Sequence, residues 1–277
     1  MFFELGGLKL HYVDRGAGLP VVMVHGNPTW SYYYRNLAQA LEPARRVIVP
    51  DHMGMGLSDK PSDRDYDYTL KSRIDDLEAL LAEAAPDGPV DLVVHDWGGM
   101  IGMGWAVRHP ERVRRLVVLN TAAFFPPPSK PLPWQLKLTR TPLGALLVRG
   151  LNAFALGATY FCVTKPVSQE WRAAMTAPYG NWRDRVAVLR FVQDIPTSPS
   201  DAAWPVVKAV EEGLAKLADK PMLICWGGRD FVFDGEFLAE WRRRFPKAKV
   251  HEFPDAGHYV LEDAADRIIP LVKDFLG

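Results

Sequence analysis

Three residues distant in the chain carry the side chains of a nucleophile–acid–base set, and each follows a short apolar run. Asp96 closes "VDLVVHD", Asp230 closes "LICWGGRD", and His258 lies in "DAGHYVLED". Two carboxylates and an imidazole can divide between them attack on carbon, orientation of a ring and movement of a proton. A single Asp after a strand is most often a helix cap. Three such residues, at three strand ends and in this order, are better read as one site. Asp234 and Asp255 are the other candidates for the acid.

The residue type at the first position narrows the chemistry. "HDWGG" (95–99) has the form of a sharp strand-to-helix turn whose tip, in the pattern G-x-S-x-G, is a serine. Gly98 and Gly99 allow the turn and a close helix–strand approach. A serine must shed a proton to attack, whereas a carboxylate is already anionic at neutral pH. Against an ester carbonyl it would form an anhydride. Against an sp³ carbon bearing a good leaving group it forms an ordinary alkyl ester. Upstream, "VHGNPTW" (24–30) also follows a strand-like run, and Gly26 and Pro28 shape a turn that would aim the Asn27 backbone N–H and amide toward Asp96. His25 and His95 are expected to brace their loops, as are Asp51, His52 and Asp59 in "PDHMGMGLSDKP".

These residues need a frame that brings strand ends together. "PVVMVHG" (20–26), "RRVIVPD" (45–51), "VDLVVHD" (90–96), "RRLVVLN" (114–120) and "PMLICWG" (221–227) read as strands covered on both faces. "FFEL" and "LKLHYV" around Gly6-Gly7 read as an opening hairpin, and "KVHEFPD" (249–255) as a final, partly exposed strand. "TLKSRIDDLEALLAEAA" (69–85) has Ile74, Leu77, Leu80 and Leu81 on one helical face. The expected fold class is α/β: a mostly parallel, doubly wound sheet with sites at the carboxyl ends of its strands. From Thr121 onward no convincing strand occurs until about Leu214. The expected division is a core from 1–121 and 215–277, with a helical cap over 122–214.

Lys plus Arg equals Asp plus Glu, 33 each in 277 residues, which gives no electrostatic reason to expect nucleic acid or an anionic membrane as partner. Cys162 and Cys225 are read as small buried apolar residues. No cluster has metal-ligand spacing, so neither metal nor cofactor is expected. There is no signal-peptide pattern and no apolar run long enough to span a bilayer, so the expected location is the cytoplasm. Oligomeric state is not legible.

The segments "HGNPTW", "DHMGMGLSDKP", "VVHDWGG", "WGGRDFVF" and "DAGHYVLED" together resemble the haloalkane dehalogenase family of the α/β-hydrolase superfamily, nearly end to end. The likeness is greatest to the branch often called the third subfamily, which borders β-lactone decarboxylases of olefin synthesis. "RTPLGALLVRGLNAF", "LRFVQDIPTSP" and "FLAEWRRRFP" resemble those decarboxylases too. The resemblance implies Asp96 as nucleophile, His258 as base and Asp230 as its orienting acid. It also implies Asn27 and Trp97 as donors to the leaving halide, with their backbone N–H groups forming the oxyanion hole. In another branch the acid follows "RRLVVLN", but here that run ends in Asn120, which favours Asp230.

The first expectation is therefore hydrolysis of apolar haloalkanes through an Asp96 alkyl ester, cleaved by His258-activated water to alcohol and halide. The second is β-lactone decarboxylation to a cis-olefin on the same residues. Epoxide hydrolysis would need acidic lid donors such as Tyr160 or Tyr179, and a fluoroacetate-type site would need arginines earlier than Arg108. A non-catalytic binding protein of this fold would commonly lack a triad member. Phe124, Phe125, Phe154 and Phe161 are candidates to line an apolar pocket.

Overall fold

Valine-rich runs form the centre of an eight-stranded sheet in the order β1-β2-β4-β3-β5-β6-β7-β8. The computed structural model describes residues 1–127, 130 and 134–277. The strands are β1 (Phe2–Leu5), β2 (Leu8–Arg15), β3 (Pro20–Val24), β4 (Arg46–Pro50), β5 (Val90–Asp96), β6 (Val113–Thr121), β7 (Met222–Gly227) and β8 (Lys249–Phe253). The first hairpin pairs antiparallel, as does β2 with β4, and every later pairing is parallel. Each expected strand is present, shifted by at most two or three residues at its ends.

Period-two alternation divides these strands between two cores. Val22, Val24, Ile48, Leu92, Val94, Leu116, Val118 and Ile224 point to one face, where α2 (Leu70–Ala84), α3 (Trp97–Arg108), α9 (Trp204–Gly213) and α10 (Gly235–Arg244) cover them. Val21, Met23, Val47, Val49, Val93, Val117, Leu119 and Leu223 point to the other, under α1 (Arg35–Leu41), α11 (Val260–Asp263) and α12 (Ala265–Leu276). Burial on both sides is why the central strands read as unbroken apolar runs. Thr69 caps α2 by accepting the Ser72 backbone N–H.

Between β6 and β7 the described residues form no strand. They fold into α4 (Trp134–Thr139), α5 (Pro142–Ala145) with a wider turn Leu146–Gly150, α6 (Ala153–Phe161), α7 (Gln169–Thr176), α8 (Val186–Gln193) and α9. The last of these lies on α3, with Val207, Val210 and Gly213 buried. An added Cβ at Gly213 would come 2.8 Å from the Val107 side chain. α9 therefore packs on the core helix α3, although the division at residue 214 groups it with the cap. An apolar stripe in sequence does not say which surface it will meet.

Candidate active site

β5 delivers Asp96 to the carboxyl end of the sheet, and the chain turns there at φ 51°, ψ −129° before α3 begins at Trp97. This is a sterically costly conformation for a residue with a Cβ. It holds because the surroundings leave little choice. The Thr121 hydroxyl donates to the Asp96 carbonyl, and Trp241 Nε1 donates to the Thr121 carbonyl at 2.7 Å. Gly98 packs against the Val24 carbonyl so closely that any Cβ would collide with backbone. Gly26 lies similarly against the Asp96 carboxylate, so a side chain there would displace that carboxylate.

Loops after β3, β7 and β8 bring the partners together. The Asn27 backbone N–H donates to Asp96 Oδ1 at 2.6 Å, and His258 Nε2 stands 3.5 Å from Asp96 Oδ2. On its other side the ring's Nδ1 is 2.8 Å from Asp230 Oδ2. All three triad candidates are buried, with Asp96 keeping 7% of its surface exposed. The structure thus assembles Asp96, His258 and Asp230 in one line. The other two carboxylates are engaged elsewhere: Asp234 caps α10 and pairs with Lys130, and Asp255 pairs with Arg267.

Charge states follow from this burial. Burial alone would raise the Asp96 pKa, but the hydrogen bond and charge of His258, with the Asn27 N–H, bring it below the ordinary carboxylate value. Burial opposes charge on His258 as well; the charge and hydrogen bond of Asp230, then those of Asp96, outweigh it and lift the ring to about 10. At neutral pH the resting site holds an Asp96 anion against a His258 cation. Burial drives His95 the other way, to about 3, so it stays neutral. Its Nε2–H donates to the His258 carbonyl at 2.9 Å and fixes the loop that carries the cation.

His25 and His52 form a second brace. His25 Nδ1 donates to the Gly26 carbonyl at 2.8 Å, its Nε2 accepts the His52 backbone N–H at 3.2 Å, and His52 Nε2 donates to the His25 carbonyl at 2.8 Å. Asp51 accepts the backbone N–H groups of Ser31 and Leu57 and pairs with His11. These contacts hold the Asn27 loop and do not touch Asp96.

The two expected leaving-group donors differ in freedom. The Trp97 ring lies edge-on to Phe191, 5.4 Å between centroids, and its N–H has no acceptor among the described residues. The Asn27 amide donates one N–H to the Val188 carbonyl in α8, at 3.1 Å. Its Oδ1 is buried without a partner. One amide hydrogen is therefore committed to the cap, and only the other remains for a ligand.

Sequence reasoning missed several contributors. Asn120, at φ 28°, accepts the Gly227 N–H through Oδ1 and donates from Nδ2 to Asp230 Oδ2 at 2.9 Å. Asp230 Oδ1 accepts the Val232 N–H at 2.7 Å, so three groups besides His258 bear on this acid or its loop. Phe233 stacks on the His258 ring at 5.8 Å. The position of Asn120 at the end of β6 was the available signal; the aromatic neighbours had none.

Two of the four phenylalanines expected to line a pocket lie in other settings, and one points out of the protein. Phe161 is 75% exposed, because α6 turns that face outward. Phe124 is core, 5.3 Å from the Trp241 ring, and Phe125 packs on Trp204 in a surface groove whose lining includes none of the triad. Phe154 is half-buried against the first core. Among the described residues, no group of three or more His, Cys, Asp or Glu side chains is arranged to hold a metal.

Comparison with known proteins places this geometry. Residues 20–159 match the family described as alpha/beta hydrolase fold. The chain belongs to this family, and it is similar along nearly its whole length both to proteins named as oxetan-2-one decarboxylases and to proteins named as haloalkane dehalogenases. It is 56% identical over 277 residues to a cis-3-alkyl-4-alkyloxetan-2-one decarboxylase of Shewanella oneidensis, covering 99% of this chain and 87% of the relative. A protein of the same name from Xanthomonas campestris is 49% identical over 278 residues, covering 98% and 93%. Haloalkane dehalogenase 2 of Mycobacterium bovis is 30% identical over 282 residues, covering 100% and 94%. Among solved structures, the haloalkane dehalogenase DatA from Agrobacterium tumefaciens superimposes with a TM-score of 0.88 at 26% identity, covering 100% of this chain and 95% of that one.

Proposed function

We propose that the chain is a β-lactone decarboxylase that converts a cis-3,4-dialkyloxetan-2-one into carbon dioxide and a cis-alkene. The observation that carries this is the identity gradient: 56% and 49% to proteins named for that activity, against 30% to a dehalogenase over an equally complete alignment. It reverses the order expected from sequence motifs, which the two activities share.

The geometry supports a route without water. An Asp96 oxygen attacks C4 of the strained ring from behind, forming a C4–O ester bond while the ring C4–O bond breaks and its electrons pass to the ring carboxylate. The Trp97 indole N–H and the uncommitted Asn27 N–H are donors suited to that new anion. The C3–carboxylate bond then breaks, its electron pair becomes the C3=C4 bond, and the C4–O bond to Asp96 breaks to restore the carboxylate. Inversion followed by anti elimination amounts to net syn loss, so a cis ring gives a cis alkene. No proton is taken up or released.

That balance suits the charge state of His258. A ring held protonated up to about pH 10 is poorly prepared to take a proton from water, but it stabilises Asp96 both as resting anion and as departing group. Asp230 orients the ring and sustains its charge. For dehalogenation, alkylation of Asp96 would first have to remove the negative charge facing His258, letting the ring lose its proton and act as base.

A paired assay tests the assignment: alkene and carbon dioxide from a long-chain cis-β-lactone, beside bromide release from 1,2-dibromoethane. Lactone turnover in large excess is expected, with Asp96→Ala inactive yet folded. Bromide release without alkene would overturn the assignment in favour of the dehalogenase.

A further inference from the structure

The cap turns an apolar, cationic face outward. On α6 the exposed or half-exposed positions are Ala153, Phe154, Leu156, Gly157, Tyr160 and Phe161, none of them charged. An outward stripe of a helix in water ordinarily carries charged residues. Just before it, Leu143, Leu146 and Leu151 are 56%, 53% and 66% exposed. The two apolar pieces, Pro142–Gly150 and Ala153–Phe161, meet at 71°, and no single helix among the described residues is long and apolar enough to cross a membrane. They lie along a surface.

The segment that builds this face is rich in cations, and the exposed Glu170 of α7 follows directly after it. Between Ala122 and Gln169 the chain carries Lys130, Lys137, Arg140, Arg149 and Lys165 and no carboxylate side chain. Lys130, Arg140 and Arg149 are paired with acids brought from elsewhere in the chain, whereas Lys137, Lys165, Arg172 and Arg183 make no ion pair among the described residues. Arg172 donates to the Thr159 carbonyl and lies over the Tyr160 ring at 3.9 Å, and Arg149 lies over Trp182 at 4.7 Å. A second copy of this face would oppose like charges, which disfavours self-association. An apolar layer topped by anions is its complement.

We propose that this face docks on a bilayer containing anionic lipid, with Leu151, Leu156, Tyr160 and Phe161 entering the headgroup boundary and the unpaired Lys137 and Lys165 meeting phosphate. The near-zero net charge of the whole chain hides the patch, because the compensating acids lie elsewhere in the sequence. A two-tailed lactone would partition into the same layer. The surface itself does not depend on that activity, and the test uses lipid without substrate, so either proposal can fail alone.

The full chain is sedimented with phosphatidylcholine vesicles, with and without phosphatidylglycerol. Binding that needs the anionic lipid and weakens with salt is expected. The double variant Leu151→Glu/Phe161→Glu should cut the bound fraction ~10-fold with an unchanged unfolding temperature, since both side chains are already exposed. Absence of binding to either vesicle, or binding that the double variant leaves intact, would overturn the proposal. So would a dimer in sedimentation velocity that the double variant dissolves, which would show a second copy on this face.

Discussion

His258 is charged because two carboxylates flank it, and each partner can be removed separately. Asp230→Asn keeps a hydrogen-bonding group beside Nδ1 but withdraws the larger part of the support for the cation. Turnover should fall by ~10²–10⁴-fold, the range set by comparable orienting acids. The basic limb of the pH–rate profile should move down from about 10 toward the ordinary imidazole value. If rate fell with the limb unmoved, Asp230 would be a packing residue only. Asp96, Asp230 and His258 were legible in sequence because each had to stand just past a strand, and strands announce themselves by composition. Asn120 was legible only as a missing carboxylate. That its amide holds both the Gly227 backbone and the Asp230 carboxylate depends on β6 and β7 being neighbours, which no local pattern states.

At the scale of elements, the β5–α3 turn depends on β3 lying directly beneath it. Gly98→Ala would drive a Cβ into the Val24 carbonyl, which is backbone in a fully buried strand and cannot rotate away. Destabilisation of at least ~3 kcal/mol is expected, in the range of severe overpacking, and thermal unfolding would measure it. Ala at position 98 without loss of stability would mean that the turn sits farther from β3 than described. The sheet was readable because alternation and double-sided burial leave clear marks on Val-, Ile- and Leu-rich runs. The helices between β6 and β7 were readable as helices but not as to orientation. Segments apolar on nearly every side, such as "LNAFALGATYF", give no sign of which face turns inward, and so Phe161 was expected in a pocket and lies outside.

Across the whole molecule, acidity tunes the site through charges the fold has gathered. On the proposed route, activity requires the Asp96 anion and the His258 cation together. The rate of alkene formation should stay level down through the ordinary carboxylate range, because Asp96 is held below it, and up to about pH 10, then fall as the ring deprotonates. Stability follows the same group: with its pKa raised on folding, His258 contributes fully below its ordinary 6.5 and loses that contribution as pH rises through about 10. A rate that instead climbs from pH 6 to 8 would point to a neutral imidazole acting as base on water.

The bond from the Asn27 amide to the Val188 carbonyl joins the floor of the site to its roof. Should α8 swing aside to admit a ligand, that tether is cut, and the amide loses the anchor that sets its angle. The same helix carries Phe191, which seats the Trp97 ring. If Asn27 and Trp97 are the donors proposed above, α8 in its described position sets the orientation of both. On that reading, covering the substrate and readying the chemistry would be one event, because the helix that roofs the site also holds the amide and the indole.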